Sequence, residues 1–291
     1  MQGVMVVDIV SVGVVGGGLM GAGIAEVCAR AGLDVIVREV TDAAAQVARQ
    51  RVAGSLDRAV GRGKLAAGDA EATLGRIRFT TAFEDLTDVG LAIEAVAEDE
   101  AVKLEVFAQL DAALARPDAL LASNTSSIPI MKLAMATGRP EQVVGIHFFN
   151  PVPVLPLVEM VTSLVTRPEV VADAEAFVVG VLGKTVIRSS DRAGFVVNAL
   201  LVPYLLSAVR MLESGFATAA DIDQGMVLGC AHPMGPLRLA DLIGLDTVTA
   251  IAQSMYQEFR EPLYSPPPLL MRMVSAGLLG RKSGRGFHAY A

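Results

Sequence analysis

The chain predicts an α/β fold, with a mostly parallel sheet domain over residues 1–190 followed by an all-α domain over 191–291. Two observations carry this. Short apolar runs alternate with helix-length patterns through the first part of the chain, the rhythm of strands joined by crossover helices. From Gly194 onward the strand signals fade and helical stretches dominate.

Ile9 to Val15 reads as the first strand, and the glycine-rich turn after it leads into a helix over Ile24 to Arg30. Val35 to Val37 is the second strand. Thr41 is placed to cap a long helical stretch running to about Val60, and Gly61 and Gly63 lead into a second helical piece over Asp69 to Leu74. That connection is longer than a simple crossover. Further strands are expected at Ile77 to Thr80, Leu91 to Val96, Ala119 to Ala122, Val143 to His147 and Leu157 to Val161, with a helix from Asp99 to about Leu114. The boundary falls near Ser189 to Arg192. Beyond it, helices are expected over Gly194 to Glu213, Ala219 to Leu228 and Leu245 to Phe259, with a proline-rich Ser265 to Pro268 between later segments.

With 291 residues of which 53% are hydrophobic, the chain can bury a large core, built mainly from aliphatic residues because tryptophan is absent. No apolar run reaches the roughly 18 to 20 residues of a membrane span. The apolar N-terminus has no Lys or Arg before it and is broken by Asp8. A soluble, cytoplasmic protein with no membrane partner is expected. A net charge of −7 opposes nonspecific nucleic-acid binding, while leaving room for a local basic cluster that grips a phosphorylated ligand. Cys28 and Cys230 show no metal-ligand spacing and read as reduced core residues, so neither zinc nor a disulfide is expected.

Gly16-Gly17-Gly18-Leu19-Met20-Gly21 is a G-x-G-x-x-G directly after a strand and directly before a helix. Gly16 permits the tight turn, Gly18 lets backbone amides approach a pyrophosphate, and Gly21 allows helix to pack closely on strand. A glycine-rich turn that binds nothing has the same letters. Glu39, at the end of the second strand, supplies the missing context, because a carboxylate there can accept hydrogen bonds from an adenosine ribose. It also repels a 2′-phosphate, which favours NAD over NADP. Arg38 leaves NADP open, since a neighbouring guanidinium can meet that phosphate.

His147 ends a predicted strand, on the edge where open α/β sheets bind ligands. A histidine beside two phenylalanines can be purely structural, but Glu159 lies twelve positions later in Leu-Pro-Leu-Val-Glu-Met-Val. There it is an unpaired charge in apolar surroundings unless it has a partner. On a neighbouring strand it would hold one imidazole tautomer and stabilise the imidazolium, an arrangement suited to proton transfer. Ser126, in Ser-Asn-Thr-Ser-Ser, can donate to a developing oxyanion or simply cap the next helix, and Asn198 sits in an apolar helix where a surface role is hard to assign. Arg51, Ser55, Arg58 and Arg62 are spaced i, i+4, i+7 and i+11 and so share one helix face, which is either a solvated stripe or a phosphate grip.

The glycine-rich segment from Val12 to Ala25, the Ser-Asn-Thr-Ser-Ser segment, His147-Phe148-Phe149-Asn150-Pro151-Val152-Pro153, Gly194-Phe195-Val196-Val197-Asn198, Pro233-Met234-Gly235-Pro236 and Lys282-Ser283-Gly284-Arg285-Gly286-Phe287 together resemble the L-3-hydroxyacyl-CoA dehydrogenases. Order and spacing match over nearly the whole chain, which is most similar to the short bacterial members. The resemblance implies a Rossmann-like domain followed by a helical domain that carries dimerisation, hence a homodimer. It also implies a reversible NAD-dependent oxidation of a short-chain L-3-hydroxyacyl-CoA, such as 3-hydroxybutyryl-CoA, to the 3-ketoacyl-CoA, such as acetoacetyl-CoA. His147 and Glu159 fall on the catalytic pair, and Ser126 and Asn198 on the groups that hold the substrate oxygen. Gly16, Gly18, Leu19, Met20, Gly21 and Glu39 are the cofactor fingerprint, and Glu98, Lys103, Ser126, Asn150 and Lys282 match positions near the nicotinamide half. Read singly, Glu98 and Lys103 look like exposed helix-start residues. Ser55 and Arg62 match positions that contact CoA, Arg62 standing where a lysine is more usual, with Arg58 beside them. A dehydrogenase of a free hydroxy acid or sugar acid stays open, as does a non-enzymatic NAD-binding protein. The basic stripe speaks against the first, and the intact His147, Glu159, Ser126 and Asn198 set against the second.

Overall fold

The computed structural model describes residues 9–290; Asp8 lies outside them. The chain divides between Arg192 and Ala193 into two compact units.

The first unit is built on one eight-stranded sheet. Its strands are β1 (Ser11–Val15), β2 (Asp34–Arg38), β3 (Ile77–Thr80), β4 (Leu91–Glu94), β5 (Leu120–Ser123), β6 (Val143–Phe148), β7 (Leu157–Thr162) and β8 (Thr185–Ser190), in the order β3-β2-β1-β4-β5-β6-β7-β8. The pairs from β3 through β6 are parallel, β7 runs antiparallel to β6, and β8 is parallel to β7. The reversal at β7 follows from the short connection between Phe148 and Leu157, which cannot hold the crossover that a parallel partner needs. Between the strands run α1 (Leu19–Arg30), α2 (Asp42–Gly61), α3 (Ala67–Gly75), α4 (Glu100–Ala113), α5 (Ile130–Ala134) and α6 (Pro168–Ala176). Thr41 does cap α2, its Oγ1 accepting from the Ala44 amide at 3.1 Å.

Strands buried on both faces need continuous apolar runs, and β1, β4 and β5 have them. Ile24, Ala25 and Cys28 of α1 pack in one cluster with Val12, Val14, Val35 and Val37 of the first two strands. Truncating fully buried Ile24 to alanine should cost about 2–5 kcal/mol. Because β1 lies between β2 and β4, the crossovers leave its two sides in opposite directions. The carboxyl ends of β1 and β4 therefore form the switch-point crevice of an open sheet. Gly16 turns the chain there at φ +94°, and a Cβ on Gly21 would overlap the Gly16 carbonyl oxygen, so α1 can start this close to β1 only with glycine in that place.

Besides short helices at Ile130–Ala134, Pro168–Ala176, Pro236–Ile243 and Pro268–Ser275 that the sequence reading does not place, the structure departs from the expectation at α1, β8 and Cys230. α1 begins at Leu19, inside the fingerprint, rather than at Ile24. β8 is an additional strand; it is an edge strand with neither face fully buried, so Thr-Val-Ile-Arg-Ser-Ser carries no clear alternation. Cys230 is exposed, unlike Cys28, whose thiol burial pushes up to about 12 against the opposing pull of Lys184.

The second unit comprises α7 (Val197–Glu213), α8 (Ala219–Cys230), α9 (Pro236–Ile243), α10 (Leu245–Phe259) and α11 (Pro268–Ser275). Leu205, Leu206, Leu237, Leu245, Met255 and Leu270 form its centre. Two buried aspartates tie its segments together. Asp223 accepts from the Leu237 and Arg238 amides that open α9, and Asp241 from the amides of Phe287 and His288. Among the described residues no helix is long and apolar enough to cross a membrane.

Candidate active site

In the first unit the antiparallel register places His147 of β6 directly opposite Glu159 of β7. His147 Nδ1 lies 2.7 Å from Glu159 Oε2, and the carboxylate is fully buried. An ionised carboxylate can only accept, so Nδ1 carries the ring proton and Nε2 presents a lone pair. That lone pair faces Ser126 Oγ at 3.1 Å. The Phe149 ring packs 4.6 Å from the imidazole, centroid to centroid, and covers it from one side. The result is a buried, oriented imidazole with a carboxylate at Nδ1 and a hydroxyl at Nε2.

Ser126 does not cap the next helix. α5 opens after Pro129, and its Ile130 and Met131 amides donate instead to Asp191 Oδ1 and Oδ2, each at 2.7 Å. Burial raises the Asp191 carboxyl above its usual range against the pull of those two donors. The Ser-Asn-Thr-Ser-Ser loop is held by its own side chains. Ser123 Oγ donates to Glu94 Oε2 at 2.6 Å, and Asn124 Oδ1 accepts from the Phe148 amide at 2.8 Å, which fixes the loop beside the end of β6. Thr125 Oγ1, the Ser126 amide and the Ser127 amide all donate to Glu98 Oε1, at 2.6, 2.9 and 3.0 Å. Burial pulls the Glu98 carboxyl up, but the Lys103 charge and these donors outweigh it and hold the group below its usual range.

Lys103 is not the exposed helix-start residue that its position alone suggests. It is 1% exposed, with Nζ 2.6 Å from Glu94 Oε1 and 3.3 Å from Glu98 Oε2. One buried cation thus joins two carboxylates that between them hold Ser123, Thr125, Ser126 and Ser127. Glu94, Ser123, Asn124 and Thr125 go unassigned in a reading of the sequence. The density of donors in the loop is the signal for the last three, whereas Glu94 looks like the end of a strand.

At the fingerprint, Glu39 Oε1 accepts from the Gly17 amide at 2.6 Å, and Arg51 Nη1 donates to the Gly17 carbonyl at 2.8 Å, so the turn is clamped from both sides. Arg38 is directed elsewhere, its Nε donating to the Thr81 carbonyl and its guanidinium 4.0 Å from the Phe83 ring centroid. No side chain caps the start of α1, and the space where a Gly18 Cβ would stand is open. Uncapped helix amides behind an open approach, with a carboxylate at the end of β2, fit a dinucleotide pyrophosphate and its ribose. Gly16, Gly18, Leu19, Met20, Gly21 and Glu39 are the residues that can hold it.

Of the other sequence candidates in this unit, Asn150 is exposed just past β6, Ser55 and Arg58 share a face of α2, and exposed Arg62 closes that helix as its C-cap residue. The second unit holds Asn198, buried in the first turn of α7, and Lys282, whose Nζ donates to Asp246 Oδ2 at 2.6 Å.

Comparison with known proteins covers both units. The description 3-hydroxyacyl-CoA dehydrogenase, NAD binding domain, matches residues 11–192, and 3-hydroxyacyl-CoA dehydrogenase, C-terminal domain, matches residues 194–290. A 3-hydroxybutyryl-CoA dehydrogenase of Mycobacterium tuberculosis is 61% identical over 279 residues, covering 96% of this chain and 98% of that one. The mitochondrial hydroxyacyl-coenzyme A dehydrogenase of Homo sapiens is 40% identical over 285 residues, covering 95% and 90%. The crystal structure of (S)-3-hydroxybutyryl-CoA dehydrogenase from Ralstonia eutropha superposes with a TM-score of 0.91 at 45% identity, covering 98% of this chain and all of that one. With both units matched end to end at such identities, the chain belongs to the 3-hydroxyacyl-CoA dehydrogenase family.

Proposed function

We propose that this protein interconverts a short-chain L-3-hydroxyacyl-CoA and its 3-ketoacyl-CoA, the pair 3-hydroxybutyryl-CoA and acetoacetyl-CoA, with NAD as its cofactor. The observation that carries the chemistry is the chain of contacts from Glu159 Oε2 through the His147 ring to Ser126 Oγ. In the oxidative direction His147 Nε2 takes the proton of the substrate hydroxyl, while Glu159 holds the ring and stabilises the imidazolium that forms. Ser126 donates to the substrate oxygen, and Asn198 is assigned the second donor. When bound, NAD would supply the acceptor for the hydride released from the C–H bond of the carbon that bears the substrate hydroxyl. In the reductive direction the imidazolium returns its proton to the carbonyl oxygen as charge builds there. Glu98, Lys103, Asn150 and Lys282 are assigned to the nicotinamide side, and Ser55, Arg58 and Arg62 to the phosphates of CoA. The names of the relatives support the acyl-CoA substrate, and the Glu39 carboxylate supports NAD over NADP.

The test follows acetoacetyl-CoA reduction with NADH and with NADPH, and free acetoacetate in parallel. Turnover should be fast only with acetoacetyl-CoA and NADH. Comparable turnover of the free acid would refute the acyl-CoA assignment.

A homodimer in a cytoplasmic setting completes the proposal. The helical unit leaves the apolar side chains of Leu200, Phe216 and Leu228 at least 74% exposed, available to a second subunit. Sedimentation at micromolar concentration should give a dimer mass, and a monomer would contradict it.

A further inference from the structure

Leu19, Gly23 and Glu26 lie along one face of α1, where the loop between β6 and β7 crosses it. A Cβ on Gly23 would stand 2.9 Å from Val152 Cβ, so the absence of a side chain lets the loop close over the helix. The loop is fixed by buried Lys184, whose Nζ donates to the carbonyls of Val152 and Leu155 at 2.8 Å each. Under it is a cavity of about 80 Å³, lined by Leu19, Glu26 and Val152 on one side and by Arg51, Ser55 and Arg58 of α2 on the other. At roughly 30 Å³ for each water, it has room for two or three waters or a short segment of a ligand.

Glu26 is only 1% exposed. Its Oε1 reaches Arg30 Nη1 at 3.4 Å, and its Oε2 has no hydrogen-bond partner. A buried carboxylate oxygen without a donor costs free energy that a ligand bearing a donor would recover. We propose that Glu26 is a specificity-determining residue for the substrate, its Oε2 accepting a hydrogen bond from an N–H or O–H in the distal half of the pantetheine arm of the acyl-CoA. This rests on the acyl-CoA reading above. The carboxylate repels a phosphate and calls for a neutral donor, while Leu19 and Val152 suit the methylene and methyl groups of such an arm. Ser55 and Arg58, assigned to CoA, line the same cavity. Glu26 lies seven residues beyond Leu19, about 10 Å along the helix. α1 begins at the catalytic edge of the sheet, so Glu26 meets the half of the arm away from the thioester.

The experiment compares wild type, Glu26→Leu and Glu26→Gln on the acetoacetyl thioesters of CoA, of pantetheine and of N-acetylcysteamine, the last of which lacks the distal half. Glu26→Leu should raise KM for the CoA and pantetheine thioesters about tenfold or more, with the loss on KM rather than kcat. KM for the N-acetylcysteamine thioester and for NADH should stay within about twofold. Glu26→Gln should fall between, because its amide oxygen still accepts. The ligand-free Leu variant should unfold at the same temperature or about 2–4 °C higher, since it loses an unsatisfied buried oxygen. An unchanged KM for the pantetheine thioester overturns the proposal. So does a lowered unfolding temperature with equal losses on all three thioesters, the mark of a purely structural residue. Failure of the wild type to turn over acetoacetyl-CoA is a separate result, and it sinks the acyl-CoA reading itself.

Discussion

Glu159→Gln isolates the charge behind the proposed base. The carboxylate is fully buried and 2.7 Å from His147 Nδ1, so the amide of glutamine fits the same space and its oxygen can still accept from Nδ1. What disappears is the attraction between the carboxylate and the imidazolium that forms when Nε2 takes the substrate proton. Two unit charges roughly 4 Å apart at an effective dielectric of about 20 interact by about 4 kcal/mol. At about 1.4 kcal/mol per decade this is close to three decades in rate, within the usual range for a general base. The assay is steady-state acetoacetyl-CoA reduction followed by NADH absorbance, with circular dichroism to show that the fold survives. His147→Gln should cost a similar factor, and the double variant little more than either alone, because the pair acts as one unit. A Glu159→Gln enzyme within about fivefold of wild type, or losses that multiply in the double variant, would refute the coupling.

The other predictions probe the cofactor, the substrate grip and the loop. Glu39→Ala removes the carboxylate from the Gly17 amide and should raise KM for NADH while narrowing its advantage over NADPH; an unchanged cofactor ratio would remove Glu39 from that role. Charge reversal at Arg58 and Arg62 should raise KM for acetoacetyl-CoA more than for acetoacetyl-pantetheine, which carries no phosphates, and leave KM for NADH unmoved. Weaker NADH binding instead would mean that the two phosphate-bearing ligands have been assigned to the wrong surfaces. Glu98→Gln should lower the unfolding temperature at neutral pH. The folded-state Glu98 carboxyl titrates below its usual range, so its stabilisation is present above the unfolded pKa and is lost as pH falls through the folded one. The gap between the two unfolding temperatures should therefore close on acidification, and a gap that persists at low pH would contradict the charge-based role.

What the sequence shows of the site depends on how each residue finds its partner. His147 and Glu159 are legible together because a strand places alternate side chains on one face, and a short reversal between two strands sets a buried acid opposite a buried base. The fingerprint is legible because Gly16, at φ +94°, and Gly21, packed on the Gly16 carbonyl, answer local needs of one turn. The network of Glu94, Lys103 and Ser123 is not, because it forms only when β4, β5 and α4 are brought side by side, and nothing local to Lys103 marks it as interior. β8 is missed for the opposite reason, since an edge strand with two half-exposed faces imposes little pattern on its residues. Glu26 combines both difficulties. On α1 alone it reads as an ordinary polar position, and only the approach of Val152 over Gly23, with Lys184 fixing the loop, turns it into a buried acceptor. Chemistry placed at strand ends thus leaves a periodic trace in the sequence. Recognition built where a loop closes over a helix leaves none, because the residue that matters is defined by what covers it.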